Sequence, residues 1–259
     1  MCCGAASAQT QPPLWEIGAV GFGVSQQAYP GAGQQVNRAL ALPFVIYRGR
    51  YLRADRDGAA LRALKTSRFE LDIGFAGAFA ARSAEIDARR GMPDLGLLVE
   101  AGPRLKWNLV QGAAGERLRL ELPLRGVFDL DDGAAHRGMS FEPELAVVHR
   151  AEGSWSTSAS VSAIVADRRM ARTLYEVAPA FALPERPAFQ ARAGLVAWRL
   201  AASFTRRISP DWLIFGFARM DSVAGAANRA SPLVRRTTGA TLGLGVSYTW
   251  RRSERGAED

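Results

Sequence analysis

The 259 residues contain no apolar run of 18 or more, so no segment is long enough to cross a bilayer as a helix. A membrane barrel stays open, because its strands alternate and never build such a run. Cysteine is confined to Cys2 and Cys3, at the extreme N-terminus. A mature chain without that segment has no disulfide staple and no thiolate metal site. The two histidines, His136 and His149, are too few for a transition-metal cluster, and no cofactor motif accompanies them. Lysine is nearly missing too. Lys65 and Lys106 are the only ones, so the net charge of +8 is carried by arginine. A basic chain invites nucleic acid, but these arginines are spread along the sequence without a basic helix or an aromatic RNA-binding signature, and no nucleic-acid partner is expected.

The N-terminal "MCCGAASAQTQPP" has no charged start and almost no apolar stretch, yet Ala6-Ser7-Ala8 before Gln9 fits an A-x-A cleavage site. Residues 1–8 are therefore expected to be the remnant of a secretory signal, with an ordinary disordered N-terminus as the alternative.

What the chain has in quantity is period-two alternation. In "FELDIGFAGAFA" (69–80), Phe69, Leu71, Ile73 and Phe75 fall on one parity, with Glu70, Asp72, Gly74 and Ala76 on the other. Alternation of this kind means extended strands, whose side chains point to opposite faces in turn. The pattern recurs. "NRALALPFVIYR" (37–48) aligns Leu40, Leu42, Phe44 and Ile46, and "TGATLGLGVSYTW" (238–250) aligns Leu242, Leu244, Val246, Tyr248 and Trp250. "LLVEAGPRLKWNL" (97–109) sets its large residues against Glu100, Arg104 and Lys106. "RLRLELPLRGVF" (117–128) sets four leucines against Arg117, Arg119, Glu121 and Arg125.

A soluble sandwich would fill the polar parity with Lys, Glu and Thr. Here it holds Gly, Ala and Ser among charges of both signs, as suits the inside of a narrow barrel where charges must pair. Trp15, Tyr47, Trp107, Trp155, Trp212 and Trp250 stand near strand ends, like the aromatic girdles of a membrane interface. Short connections (66–68, 111–116, 151–153, 209–211) alternate with long ones (25–35, 81–96, 129–139, 167–190, 222–236). The expected fold is all-β: a closed antiparallel transmembrane barrel over residues 9–250, with short periplasmic turns and long external loops. Twelve strands follow if residues 51–64 form a hairpin turning near Asp55–Gly58, and ten if they do not. Residues 251–259 read as a charged tail free to meet a partner.

"LPFVIYRGRYLRADRDG" (42–58), "GMPDLGLLVEAGPRLKWNL" (91–109), "ADRRMARTLYEV" (166–177) and "SPLVRRTTGATLGLGVSYTW" (231–250) resemble the MipA/OmpV family. The resemblance implies a monomeric barrel in the outer membrane of a Gram-negative bacterium, in contact with lipid and lipopolysaccharide. It also implies a non-enzymatic scaffold that brings a lytic murein transglycosylase to a penicillin-binding synthase. It carries no catalytic residue with it. The family's barrels usually end on an aromatic residue, and here Trp250 is followed by "RRSERGAED".

No catalytic site is expected. His149 with Ser154 or Ser156 could form a base–nucleophile pair, but no third group orients it. The candidate lumen-lining set is Glu100, Arg104, Lys106, Arg117, Arg119, Glu121 and Arg125, which either selects anions or pairs internally, and the paired reading is preferred. Two candidate contact patches remain. Arg53, Asp55, Arg56 and Asp57 form either a pore-lining or partner-docking patch or a turn of solvated ion pairs. Asp167, Arg168, Arg169 and Tyr175 open the longest loop, which could plug the barrel, meet lipopolysaccharide phosphates, or cover the mouth. The runner-up function is a small-solute channel.

Overall fold

A computed structural model describes residues 13–48, 52–55, 58–66, 68–78, 82–112, 115–150 and 155–256, without the side chains of 52–65, 75–78 and 150. Among the described residues thirteen strands form one antiparallel sheet. They are β1 (Trp15–Gln27), β2 (Gln35–Arg48), β3 (Leu52–Asp55), β4 (Gly58–Lys65), β5 (Phe69–Ala78), β6 (Leu98–Gln111) and β7 (Glu116–Asp129). β8 (Ala135–Phe141), β9 (Glu144–Arg150), β10 (Trp155–Ala166), β11 (Gly194–Arg207), β12 (Trp212–Ser222) and β13 (Thr238–Arg252) follow. Apart from β8 and β9, each pairs with its sequence neighbours, and β1 also pairs with β13, so the succession of pairings returns to its start. β8 and β9 both lie between β7 and β10 and read as one strand interrupted at Glu142–Pro143. Proline lacks the N–H that a ladder needs.

The predicted alternation appears as exposure. Phe69, Leu71 and Ile73 are exposed while Asp72 between them is 1% exposed. Phe75 lies outside the described side chains. Leu242, Leu244, Val246 and Trp250 are exposed, with Ser247 and Thr249 buried on the other parity. β2 departs from its expected phase. Val45, opposite Ile17, is 63% exposed, whereas Ile46, opposite Glu16, is 8% exposed. Val20 and Phe22 stand opposite Leu42 and Leu40 in β2, and opposite Ser247 and Gly245 in β13. The glycines of β1 and β13 make room on this face: Phe44 lies over Gly18, and the rings of Phe217 and Phe215 fill the space left by Gly243 and Gly245, with Phe22 beside Gly245. The large residues of this corner therefore turn inward.

Two further expectations change. The connection after β7 is only 130–134, because β8 begins at Ala135, five residues into the expected loop. The tail is not free. β13 runs on to Arg252, Ser253 N donates to Trp15 O (2.9 Å), Leu14 N donates to Arg255 O (2.8 Å), and Pro13 bridges Gly256. Arg252 also pairs with Asp211. Orphaned backbone groups beside β1 give the segment after Trp250 a ladder to extend. The hairpin expected at 51–64 is present as β3 and β4, with Asp55 opposite Gly58; Arg56 and Asp57 lie outside the described residues.

The largest apolar cluster sits in the loops at one end. It joins Tyr29 and Ala32, Ile86, Met92 and Leu95, Val223 and Leu233, and the buried face of helix α1 (Arg168–Tyr175). Asp167 caps α1, accepting from Met170 N at 2.8 Å. Met170, Ala171, Leu174 and Tyr175 form one buried stripe at helical spacing. The helix start docks on Gly138 of β8, whose φ of +122° suits glycine and where a Cβ would meet Asp167 and the Met170 backbone.

Polar pins hold this plug. Tyr29 Oη donates to Leu233 O (2.8 Å), Tyr175 Oη to Pro30 O (2.9 Å) and Ser231 Oγ to Tyr175 O (2.7 Å). Arg186 spans two loops, donating to Ala88 O (3.1 Å) and Arg90 O (2.9 Å) as well as Phe181 O (2.8 Å). Arg89 reaches Leu174 O (3.2 Å) at the C-terminal end of α1, where the helix dipole favours a cation. Burial pushes the Arg89 guanidinium below its ordinary value.

Gly138→Val forces a strained backbone, costing about 1–3 kcal/mol, as well as a clash at the helix start. Trypsin should nick 167–193 faster in this variant while the heat-resistant gel mobility of the folded sheet is kept. Burial also pushes the Tyr29 phenol up to about 12 from its usual 10.0. The unfolded chain ionises this group first, so its contribution is intact below pH 10 and is lost as pH rises through 12. Proteolytic protection of the plug should fall across that window, and fall less in Tyr29→Phe; equal loss in both proteins would refute the assignment.

Candidate functional site

The face enclosed by the sheet carries a row of residues that stand directly opposite one another from strand to strand. Glu70 faces Lys106, Lys106 faces Glu121, and Glu121 faces Glu144. Glu144 then faces Ser162, Ser162 faces Arg199, and Arg199 faces Asp221. Directly opposed side chains are the closest in a sheet, so this row is the electrostatic seam of the interior.

Asp72 is its firmest point. Arg104 grips it with two parallel bonds of 2.9 Å, and Lys106 Nζ lies 3.0 Å away. A bidentate guanidinium–carboxylate pair combines strength with fixed geometry. Arg119 meets Glu121 at 2.7 Å. On the neighbouring strands Arg125 bridges Glu100 (3.2 Å) and Glu142 (3.6 Å). Arg199 bridges Glu142 (3.0 Å) and Asp221 (2.7 Å). Ser162 Oγ adds a bond to Glu142 at 3.0 Å.

The expected set therefore divides. Glu100, Arg104, Lys106, Arg119, Glu121 and Arg125 all make ion pairs, in two groups: Arg104, Lys106, Arg119 and Glu121 around Asp72, and Glu100 and Arg125 with Glu142. Arg117 stands exposed at the turn end of β7, at the margin of these pairs. Five members were not picked out from sequence: Glu70, Asp72, Glu142, Arg199 and Asp221. Asp72 was visible in the alternation of "FELDIGF", and Arg199 in "LVAWRLAAS" is a lone cation on an otherwise apolar strand. Either could have been followed to the partner it needs.

The loop patch also divides. Asp167 is a helix cap and Tyr175, 1% exposed, is part of the plug core, so neither is available to meet lipopolysaccharide. Arg168 and Arg169 are exposed, and Arg169 lies 3.5 Å from the His136 ring. Of the turn patch, Arg53 and Asp55 lie on β3 without described side chains. His149 stands beside Glu116 at 3.8 Å and opposite Thr157, while Ser154 lies outside the described residues. Among the described residues no cluster of metal-ligating side chains occurs.

Between the plug and the charged row lies a cavity of about 470 Å³, roofed by Tyr29, Leu98, Met170 and Leu174. On the outer side, near the short turns, aromatic residues gather in contact: Phe69 with Trp107 (5.3 Å), Trp155 with Phe204 (6.0 Å) and Trp212 with Tyr248 (4.8 Å).

An up-and-down antiparallel sheet, apolar outside and ion-paired inside, defines the class: an all-β protein built around a polar interior. Within that class, the chain belongs to the family described as MltA-interacting protein MipA, whose model matches residues 18–250. No curated protein matches it. Among solved structures, the NanC porin is similar at 8% identity and a TM-score of 0.41, covering 90% of this chain and 98% of that one. An outer membrane channel from Pseudomonas putida F1 has 12% identity and a TM-score of 0.37, covering 95% and 100%. The CymD monoaromatic hydrocarbon channel has 10% identity and a TM-score of 0.38, covering 96% and 91%.

Asp72→Asn leaves Arg104 and Lys106 enclosed without their shared anion and should destabilise the protein by about 3–5 kcal/mol. Arg117→Gln, at the exposed margin, should change stability by less than about 0.5 kcal/mol. Guanidinium unfolding in detergent measures both, and comparable losses would refute the network.

Proposed function

We propose that this protein is a closed twelve-stranded barrel of the outer membrane, with its plug outside and its short turns and both termini in the periplasm. We further propose that it acts as a non-enzymatic scaffold for murein enzymes, a lytic transglycosylase and a penicillin-binding synthase. Counting β8 and β9 as one interrupted strand supports twelve. Apolar residues exposed along β5 and β13 and the aromatic belt beside the turns support a lipid-facing wall.

The observation that carries the role is the closed, charge-balanced interior. A pore selective for anions needs net positive charge open to water. Here Arg104, Arg119, Arg125 and Arg199 are spent on carboxylates, and loops packed around Tyr175 lie over the row. With no oriented base and nucleophile among the described residues, the periplasmic rim is the surface left to work with. The family description, an interaction with MltA, supports that choice of partner.

Planar-bilayer recordings of the purified protein should show no reproducible conductance. An anion-selective current whose preference reverses in Arg125→Glu would establish the channel reading instead. In intact cells an epitope at Ala180 should be reached by antibody and one at Pro210 should not. Pull-downs from solubilised envelopes should recover a murein transglycosylase with the wild type and with Arg125→Gln alike.

A further inference from the structure

The partly open cavity leaves two of its charges without a close ion pair. Of those that line it, Glu100, Arg125, Glu142, Arg199 and Asp221 are consumed by one another. Glu144 on β9 and the exposed Arg219 on β12 line the same space; among the described residues neither makes a close ion pair, and each answers the other only across the cavity, with Arg119 near Glu144 and Glu142 and Asp221 near Arg219. Glu144 stands directly opposite Glu121, a like charge, and Glu121 is already held by Arg119 at 2.7 Å. A second carboxylate beside a satisfied one gains from a cation brought in from outside. Arg219 has its guanidinium 4.8 Å over the Phe217 ring, a stacking that leaves the donor edge free for an anion.

We propose that the cavity binds a small zwitterion with an apolar body: a free amino acid or a dipeptide. Its carboxylate lies on Arg219 and its ammonium on Glu144. Its side chain lies against the apolar roof of Leu98, Met170 and Leu174. About 470 Å³ falls within the range of roughly 300–1,000 Å³ usual for small-molecule pockets, ample for a dipeptide. A simple anion would satisfy Arg219 but meet the Glu144 carboxylate, and a simple cation would do the reverse. Only a ligand carrying both charges answers both groups. The site is independent of the scaffold role, since it lies beneath the plug and away from the turn rim.

Equilibrium dialysis of the full-length protein in detergent, with radiolabelled glycyl-leucine as probe, tests this. N-acetyl-leucine lacks the ammonium and leucinamide lacks the carboxylate. Saturable glycyl-leucine binding is expected, tighter than that of either half-probe. Glu144→Gln and Arg219→Gln should each weaken it by about tenfold or more, the loss of one charge-assisted hydrogen bond. Arg219→Gln should leave leucinamide unaffected, and Glu144→Gln should leave N-acetyl-leucine unaffected. Ser160→Phe fills the cavity from its wall without touching either charge and should abolish binding, with heat-resistant gel mobility reporting that each variant is folded. No saturable binding at millimolar probe, or binding unchanged in Ser160→Phe, would overturn the proposal.

Discussion

Most charges on the inner face are met by a partner on a neighbouring strand, and that pairing constrains the rest of the structure. Asp72 at 1% exposure is tolerable because Arg104 and Lys106 converge on it from β6. Such pairs are register devices more than sources of stability, because desolvating both ions offsets most of their attraction. A slip of one residue between β5 and β6 would turn Asp72 outward and leave two cations inside without an anion. The same holds for Arg199 between Glu142 and Asp221, on elements distant in sequence. These pairs specify one alignment of the strands against every other.

An interior committed to ions and to rings packed over glycine has no room for an ordinary apolar core. The buried aliphatic side chains of the loops find their partners in each other, and the cluster forms at the mouth. Loop backbone brought inside must also satisfy its carbonyls. Arg186 and Arg89 do this in place of water, binding carbonyls of different loops, and so tie 82–97 to 167–193. Burial of the Tyr29 and Tyr175 phenols, which drives both well above the usual tyrosine value, belongs to the same packing.

Strands whose two faces differ in chemistry were legible in the sequence. β5, β7 and β13 alternate large against small or charged, and their exposure follows that parity. The hairpin at Asp55–Gly58 was legible from turn chemistry. β2 was misleading because it is apolar on both parities: its phase is set by β1, where Phe44 lies over Gly18 and Ile46 stands opposite the buried Glu16. The plug was equally hidden. Period-two reasoning has nothing to say about loops, and the one helical stripe there, Met170 to Tyr175, is too short to stand out. Arg104 and Arg125 were read as inward from parity, but their anions Asp72 and Glu142 lie on other strands and depend on a register that sequence spacing does not encode.

The paired tail changes where a partner can be met. A free mixed-charge segment would offer a flexible lure, ordered only on binding and at an entropic cost. Instead residues 251–256 run beside the first strand, Arg252 is anchored at Asp211 and Pro210, and Arg48 joins Glu16 at 2.8 Å just inside. The turn end therefore presents a preformed rim built from residues 13–15, residues 251–256 and the turn 208–211. A preformed surface loses little freedom on association, so a small contact area there holds a partner better than the same residues on a loose tail. Under the proposed scaffold role, such a rim would need no long turns to meet a partner.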